Sequence, residues 1–263
     1  MKLRVVPAAV ALVFGLASNA FSGAIAGGPP AFGLTATSSV GGDVVTLTPT
    51  LTANPDGSFS ASGSAGAPSF SLLFNFALNA DPTISGSFTL VNLSSTTQTF
   101  TVAATLSGVP LSGPTRMSGF FGETTYTDTN DGSGVGDGTV GFGANPFYQA
   151  QIDGSTVQPP LGSFAFTAIS SDPGVFGTLS KETFGTPIPT PGPGVASSIG
   201  VRFPGFELTA HDMIEVPFEF AVVPEPSSAA LLAVAAAVIL FTFAREKASR
   251  LARRSGRILP TGG

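Results

Sequence analysis

At 263 residues the chain can form one domain of about 200 residues once its ends are set aside, long enough to bury a real core. Charged residues are only 10% of the chain and cysteine is absent, so its surface must be covered by uncharged Ser, Thr, Asn and Gly, and disulfides and thiolate metal sites are excluded. Between Gly27 and Pro226 only Arg116, Lys181 and Arg202 face 15 acids, which excludes nucleic-acid binding by the middle because nothing there neutralises a run of phosphates.

Taken in chain order, the first element is a leader. Lys2 and Arg4 precede an apolar run from Val5 to Ala17, and small residues offer cleavage after Ala20 or after Ala26. This is the layout of a secretory signal peptide over residues 1–26: the run is short for a membrane span and lacks a positive flank on its far side. Residues 27–222 then form the expected ectodomain.

Period-two runs of apolar and polar residues recur at 44–52, 70–78, 84–93, 100–106, 164–169, 199–208 and 214–222. In the run 100–106, Phe100, Val102, Ala104 and Leu106 stand at every second position, so one face is buried and the other wet. Asn54-Pro55-Asp56-Gly57, Asn79-Ala80-Asp81-Pro82 and Asp172-Pro173-Gly174 punctuate these runs. Many short strands with Gly and Pro turns predict an all-β fold, a β-sandwich of jelly-roll or Ig-like arrangement, with a core built around the 23 Phe. The runs 84–93 and 97–106 read as a hairpin with 92–96 as its turn. Residues 185–194 hold too much proline for a ladder and read as a long exposed loop.

The acidic, glycine-rich segment from Asp128 to Gly138 offers Asp128, Asn130, Asp131 and Asp137 as candidate calcium ligands, since calcium takes several oxygen donors. Its spacing departs from the EF-hand loop: Ser133 stands where that loop needs Gly, and Thr139 where it needs Glu. No other cofactor is expected. The one histidine, His211, has no Gly-x-Ser-x-Gly partner and reads as a surface imidazole. Glu215 and Glu219 share a strand face at about 13 Å between Cα atoms, too far apart for a glycosidase pair, and read as solvated. Asn92-Leu93-Ser94 matches the glycosylation acceptor pattern, which arises often by chance.

The last element is a tail at 223–257. Val223-Pro224-Glu225-Pro226-Ser227-Ser228 is followed by an uncharged stretch from Ser227 to Ala244, which as a helix reaches about 27 Å, close to the hydrocarbon thickness. Arg245, Lys247, Arg250, Arg253 and Arg254 then form a stop-transfer cluster within a basic tail at 245–257, on the cytoplasmic side by the positive-inside preference. Pro224 and Pro226 fix φ and remove backbone donors, holding the segment extended as a protease cleft requires.

These three parts, in this order, resemble the PEP-CTERM family of bacterial sorting signals. The resemblance implies recognition by an exosortase, a membrane protease, with Val223, Pro224, Glu225, Pro226 and Ser227 as the sorting and processing motif. The expected protein is exported and held transiently at the inner membrane by its C-terminal helix with the ectodomain outside. It then passes to the cell surface or extracellular matrix, as a non-enzymatic partner of exopolysaccharide. The alternative is a calcium-dependent carbohydrate-binding β-sandwich module, weakened by the absence of Trp and the presence of only Tyr126 and Tyr148.

Overall fold

A computed structural model describes residues 30–225 apart from 40, 80–81, 129–137, 143–145, 158–165, 171–173 and 187–189, and Thr242 beyond them. The expected leader and the span at 227–244 therefore lie outside the described residues, except for Thr242. Among the described residues no helix is long and apolar enough to cross a membrane. The described residues form eighteen strands: β1 (Ala31–Ser38), β2 (Val44–Leu47), β3 (Thr52–Ala53), β4 (Phe59–Ala67), β5 (Phe70–Asn79), β6 (Thr83–Asn92), β7 (Gln98–Ser112), β8 (Thr115–Phe121) and β9 (Thr124–Asp128), then β10 (Gly138–Phe142), β11 (Gln149–Ile152), β12 (Ser155–Thr156), β13 (Phe166–Ser170), β14 (Gly174–Leu179), β15 (Glu182–Phe184), β16 (Thr190–Pro191), β17 (Val195–Leu208) and β18 (Met213–Pro224).

They form two antiparallel sheets, consistent with a β-sandwich. The first runs β12-β11-β17-β7-β1-β2, with β10 also on β17 and β13 on β10; the second runs β14-β9-β18-β6-β5-β4-β3, with β8 on β18 and β15 and β16 on β8. Each long strand buries alternate residues, as its sequence period requires. In β1 these are Phe32, Leu34 and Ala36, in β7 Phe100, Val102, Ala104 and Leu106, and in β18 Ile214, Val216, Phe218 and Phe220. Phenylalanine fills the space between the sheets: Phe32 meets Phe76 at 5.2 Å between ring centroids, Phe88 meets Phe203 at 5.1 Å, and Phe203 meets Phe218 at 5.2 Å. Tilted and edge-on rings at this spacing gain more than their area alone provides.

The predicted hairpin of 84–93 with 97–106 is not formed. β6 pairs with β5 and β18, whereas β7 pairs with β1 and β17, so residues 93–97 carry the chain from one sheet to the other. A period-two pattern says which face is buried, and both arrangements bury the same face; five connecting residues suit either. Three further strand successions change sheet at this same end: β17 to β18 through 209–212, β9 to β10, and β13 to β14. The opposite end holds the start of β1, where Ala31 faces Ser107, and the end of β18, where Pro224 faces Thr115.

Two residues that break strand propensity have specific places. Gly86 (φ 145°) stands in β6 between Phe76 and Phe218, its partners on either side. Without a side chain there, those two rings lean together to 5.5 Å. Pro217 sits in β18 where β8 gives way to β9, and its carbonyl accepts from Gly122 N at 2.6 Å. Its missing donor would point at this interruption, where no ladder bond is lost. The predicted loop at 185–194 is also corrected: Thr190 and Pro191 pair with Met117 and Arg116 on the edge of β8. An edge accepts a proline that a central strand rejects, so the segment covers that edge.

Candidate functional site

The expected processing motif begins inside the fold. Val223 and Pro224 are the last residues of β18, opposite Arg116 and Thr115 of β8. Both are exposed, Glu225 is half-buried, and Pro226 and Ser227 lie outside the described residues, as do Arg245, Lys247, Arg250, Arg253 and Arg254. Chain contacts divide the molecule between Pro224 and Glu225. Sequence reasoning put the boundary at 222, just before the Val-Pro-Glu-Pro-Ser motif; a terminal strand residue with one neighbour tolerates the proline.

Of the four candidate calcium ligands only Asp128 is described, and it is buried at the end of β9. Asn130, Asp131 and Asp137 lie outside the described residues. Among the described residues no group of three or more His, Asp or Glu side chains is placed to hold a metal ion. Two residues before Asp128, Tyr126 belongs instead to a buried hydrogen-bonded cluster that sequence reasoning missed. The Tyr126 hydroxyl and the Thr209 hydroxyl both donate to Asp212 Oδ2, and lie 3.1 Å from each other. Burial raises the Tyr126 phenol well above its ordinary value, and donation to Asp212 raises it further. The cluster ties the end of β9 to the 209–212 connection. Its signal was present in the alternation of Thr124, Tyr126 and Asp128, which puts all three on the buried face.

Asn92 binds the neighbouring connection in the same way. Its side-chain nitrogen donates to the carbonyls of Thr96 at 2.9 Å, Leu208 at 3.0 Å and Thr209 at 2.8 Å, and its oxygen accepts from Ser94 N and Oγ. It is fully buried. The Asn92-Leu93-Ser94 pattern is therefore a structural turn, with its amide nitrogen spent on three carbonyls, and no acceptor for sugar in the folded domain.

The remaining candidates stand apart. His211 is half-buried in the 209–212 turn with φ 62°. Glu215 and Glu219 lie on the outer face of β18, opposite Thr89 and Ser85. Tyr126 and Tyr148 are both buried, and the exposed large hydrophobic residues among those described are the aliphatic Val44, Leu73, Leu93, Val195 and Val223. Phe120 is half-buried, with the Lys181 ammonium 4.0 Å above its ring. The Tyr148 hydroxyl donates to the Glu219 carbonyl at 2.9 Å, and burial pushes its pKa up, with the Glu219 charge adding to the effect. No protein-family model and no curated protein matches the chain.

Proposed function

We propose that the chain is an exported, non-enzymatic surface or matrix protein whose β-domain is delivered through a C-terminal Pro-Glu-Pro sorting signal. An exosortase processes the signal at Val223 to Ser227, and the domain then takes its place at the cell surface or in exopolysaccharide. The observation that carries this reading is the three-part tail: a proline-stiffened motif, an uncharged stretch long enough to span, and an arginine-rich end, in that order. The strongly acidic middle and the near-absence of bases outside the two ends support export with the tail facing inward. Within the all-β class we read the arrangement as jelly-roll-like, supported by the four connections that change sheet at one end.

The test is the full-length protein against the double variant Glu225→Ala/Pro226→Ala, which leaves every strand residue in place. The parent should convert to a shorter form that leaves the inner membrane, and the variant should stay full length in the membrane fraction. Equal size and location for the two would refute the reading. The carbohydrate-binding alternative is weakened further because both tyrosine rings are buried and unable to stack on a sugar.

A further inference from the structure

The end of β18 differs from the rest of that strand. Through Ala221 it has a neighbour on each side, with Phe220 opposite both Ile84 and Gly119 and Ala221 opposite both Thr83 and Ser118. Beyond Ala221 only β8 remains: Val222 faces Met117, Val223 faces Arg116, and Pro224 faces Thr115. Burial changes one residue later. Phe220 and Val222 are fully buried and the Val222 amide donates to the Pro82 carbonyl at 2.9 Å, whereas Val223 is 48% exposed and Pro224 is exposed without an amide donor. The core therefore holds β18 firmly up to Val222. The next two residues are held by one edge and bury little.

A protease takes its substrate as an extended peptide and satisfies the substrate's backbone with its own edge, as an added strand does. For Val223 and Pro224, that edge competes directly with β8. We infer that the folded domain itself limits where the chain is cut: Val222 is the last residue the core retains, processing falls C-terminal to it, and Val223-Pro224 peel away from β8 to enter the protease. The inference rests on the processing reading above and adds to it a boundary and a conformational step. A cut upstream would remove Val222 or Phe220 from the core and leave the central strand of its sheet incomplete, so the product would not keep its fold.

Two measurements on the full-length protein in the cells that export it decide the matter. The first is the C-terminal residue of the released form, read by mass spectrometry of its last peptide. A terminus at Val222 or later is expected. A folded product ending at Ala221 or earlier overturns the inference while leaving processing intact, and a chain that is never shortened overturns both. The second uses the double variant Arg116→Cys/Val223→Cys. These residues face each other across an antiparallel pair, where Cα atoms stand about 4.5–5.5 Å apart, within disulfide range. The chain has no other cysteine to compete. Oxidised, the variant should lose cleavage, and reductant should restore it. Equal cleavage of the oxidised and reduced forms would show that no peeling is needed and overturn that step.

Discussion

At the residue scale, a few buried polar side chains carry the connections that change sheet. Asn92 donates to the carbonyls of Thr96, Leu208 and Thr209, of which Thr96 also accepts from Ser94 Oγ and Thr209 from the Asp212 amide, so removing the side-chain amide weakens a shared network, at about 1–3 kcal/mol for a buried acceptor left short of a donor. Asn92→Ala should lower stability by about 2–4 kcal/mol in urea titration. Asn92→Asp should be worse, because it points a carboxylate at the same carbonyls. The two tyrosines give a second test. Their folded pKa values are raised above the unfolded value near 10, so they stabilise the fold fully below about pH 10, and that contribution is lost as pH rises beyond it. Since these are the only tyrosines, tyrosinate absorbance should appear only as the protein unfolds; tyrosinate forming in the native state would contradict the burial. Asp153 has the opposite sign. Ser197 and Ser198 donate to one of its oxygens through side chain and backbone, which holds its pKa below the usual carboxylate value. Its contribution is present above about pH 4 and lost as pH falls through the depressed value. Asp153→Asn should therefore flatten the acid side of the stability profile measured by urea midpoint.

At the element scale, phenylalanine period and strand order belong to different levels of information. The alternations at 70–78, 100–106, 199–208 and 214–222 were legible because burial of one face imposes a period of two on each strand by itself. Partner choice was not, because it depends on contacts far along the chain; β6 and β7 were each found and wrongly joined. Ile152-Asp153-Gly154-Ser155 was legible and went unread: Asp153 (φ 48°) and Gly154 (φ 77°) make the two-residue turn between β11 and β12 that an Asp-Gly pair favours. Phe218 shows what an inward position is worth. Its ring touches those of Phe76, Phe88 and Phe203, so Phe218→Ala should cost about 3–5 kcal/mol by denaturant titration. Gly86→Ala should prevent folding to a single native state, because a Cβ there would stand 2.1 Å from the Asn75 carbonyl oxygen.

At the scale of the whole molecule, the all-β class followed from composition and turn residues, while the two ends of the domain could not be told apart from sequence. Which connections hop between sheets is a property of topology, and only topology brings Asn92, Tyr126, Thr209 and Asp212 to one end and Ala31 and Pro224 to the other. The proposed processing motif could be picked out as a pattern because it is local. Its overlap with β18 was hidden, because the motif was taken to begin where the alternation of 214–222 ended. Pairings such as β18 with β6 and β17 with β7 join segments about a hundred residues apart, so refolding should be slow, on the order of milliseconds to seconds, in stopped-flow fluorescence of the tyrosines.

Among the described strands, the last made during synthesis is the one that sits between β6 on one side and β8 and β9 on the other. Until residue 224 leaves the ribosome, half of that sheet has nothing to join it to the other half, and the ring of Phe218 is missing from the centre of the core. A growing chain of this design stays pliable almost to its end. On the proposed route, that keeps it narrow enough to thread an export channel, and the stretch arriving next, at 227–244, would halt it only once the missing strand is on the far side. On that route, the position of one strand makes assembly wait for delivery.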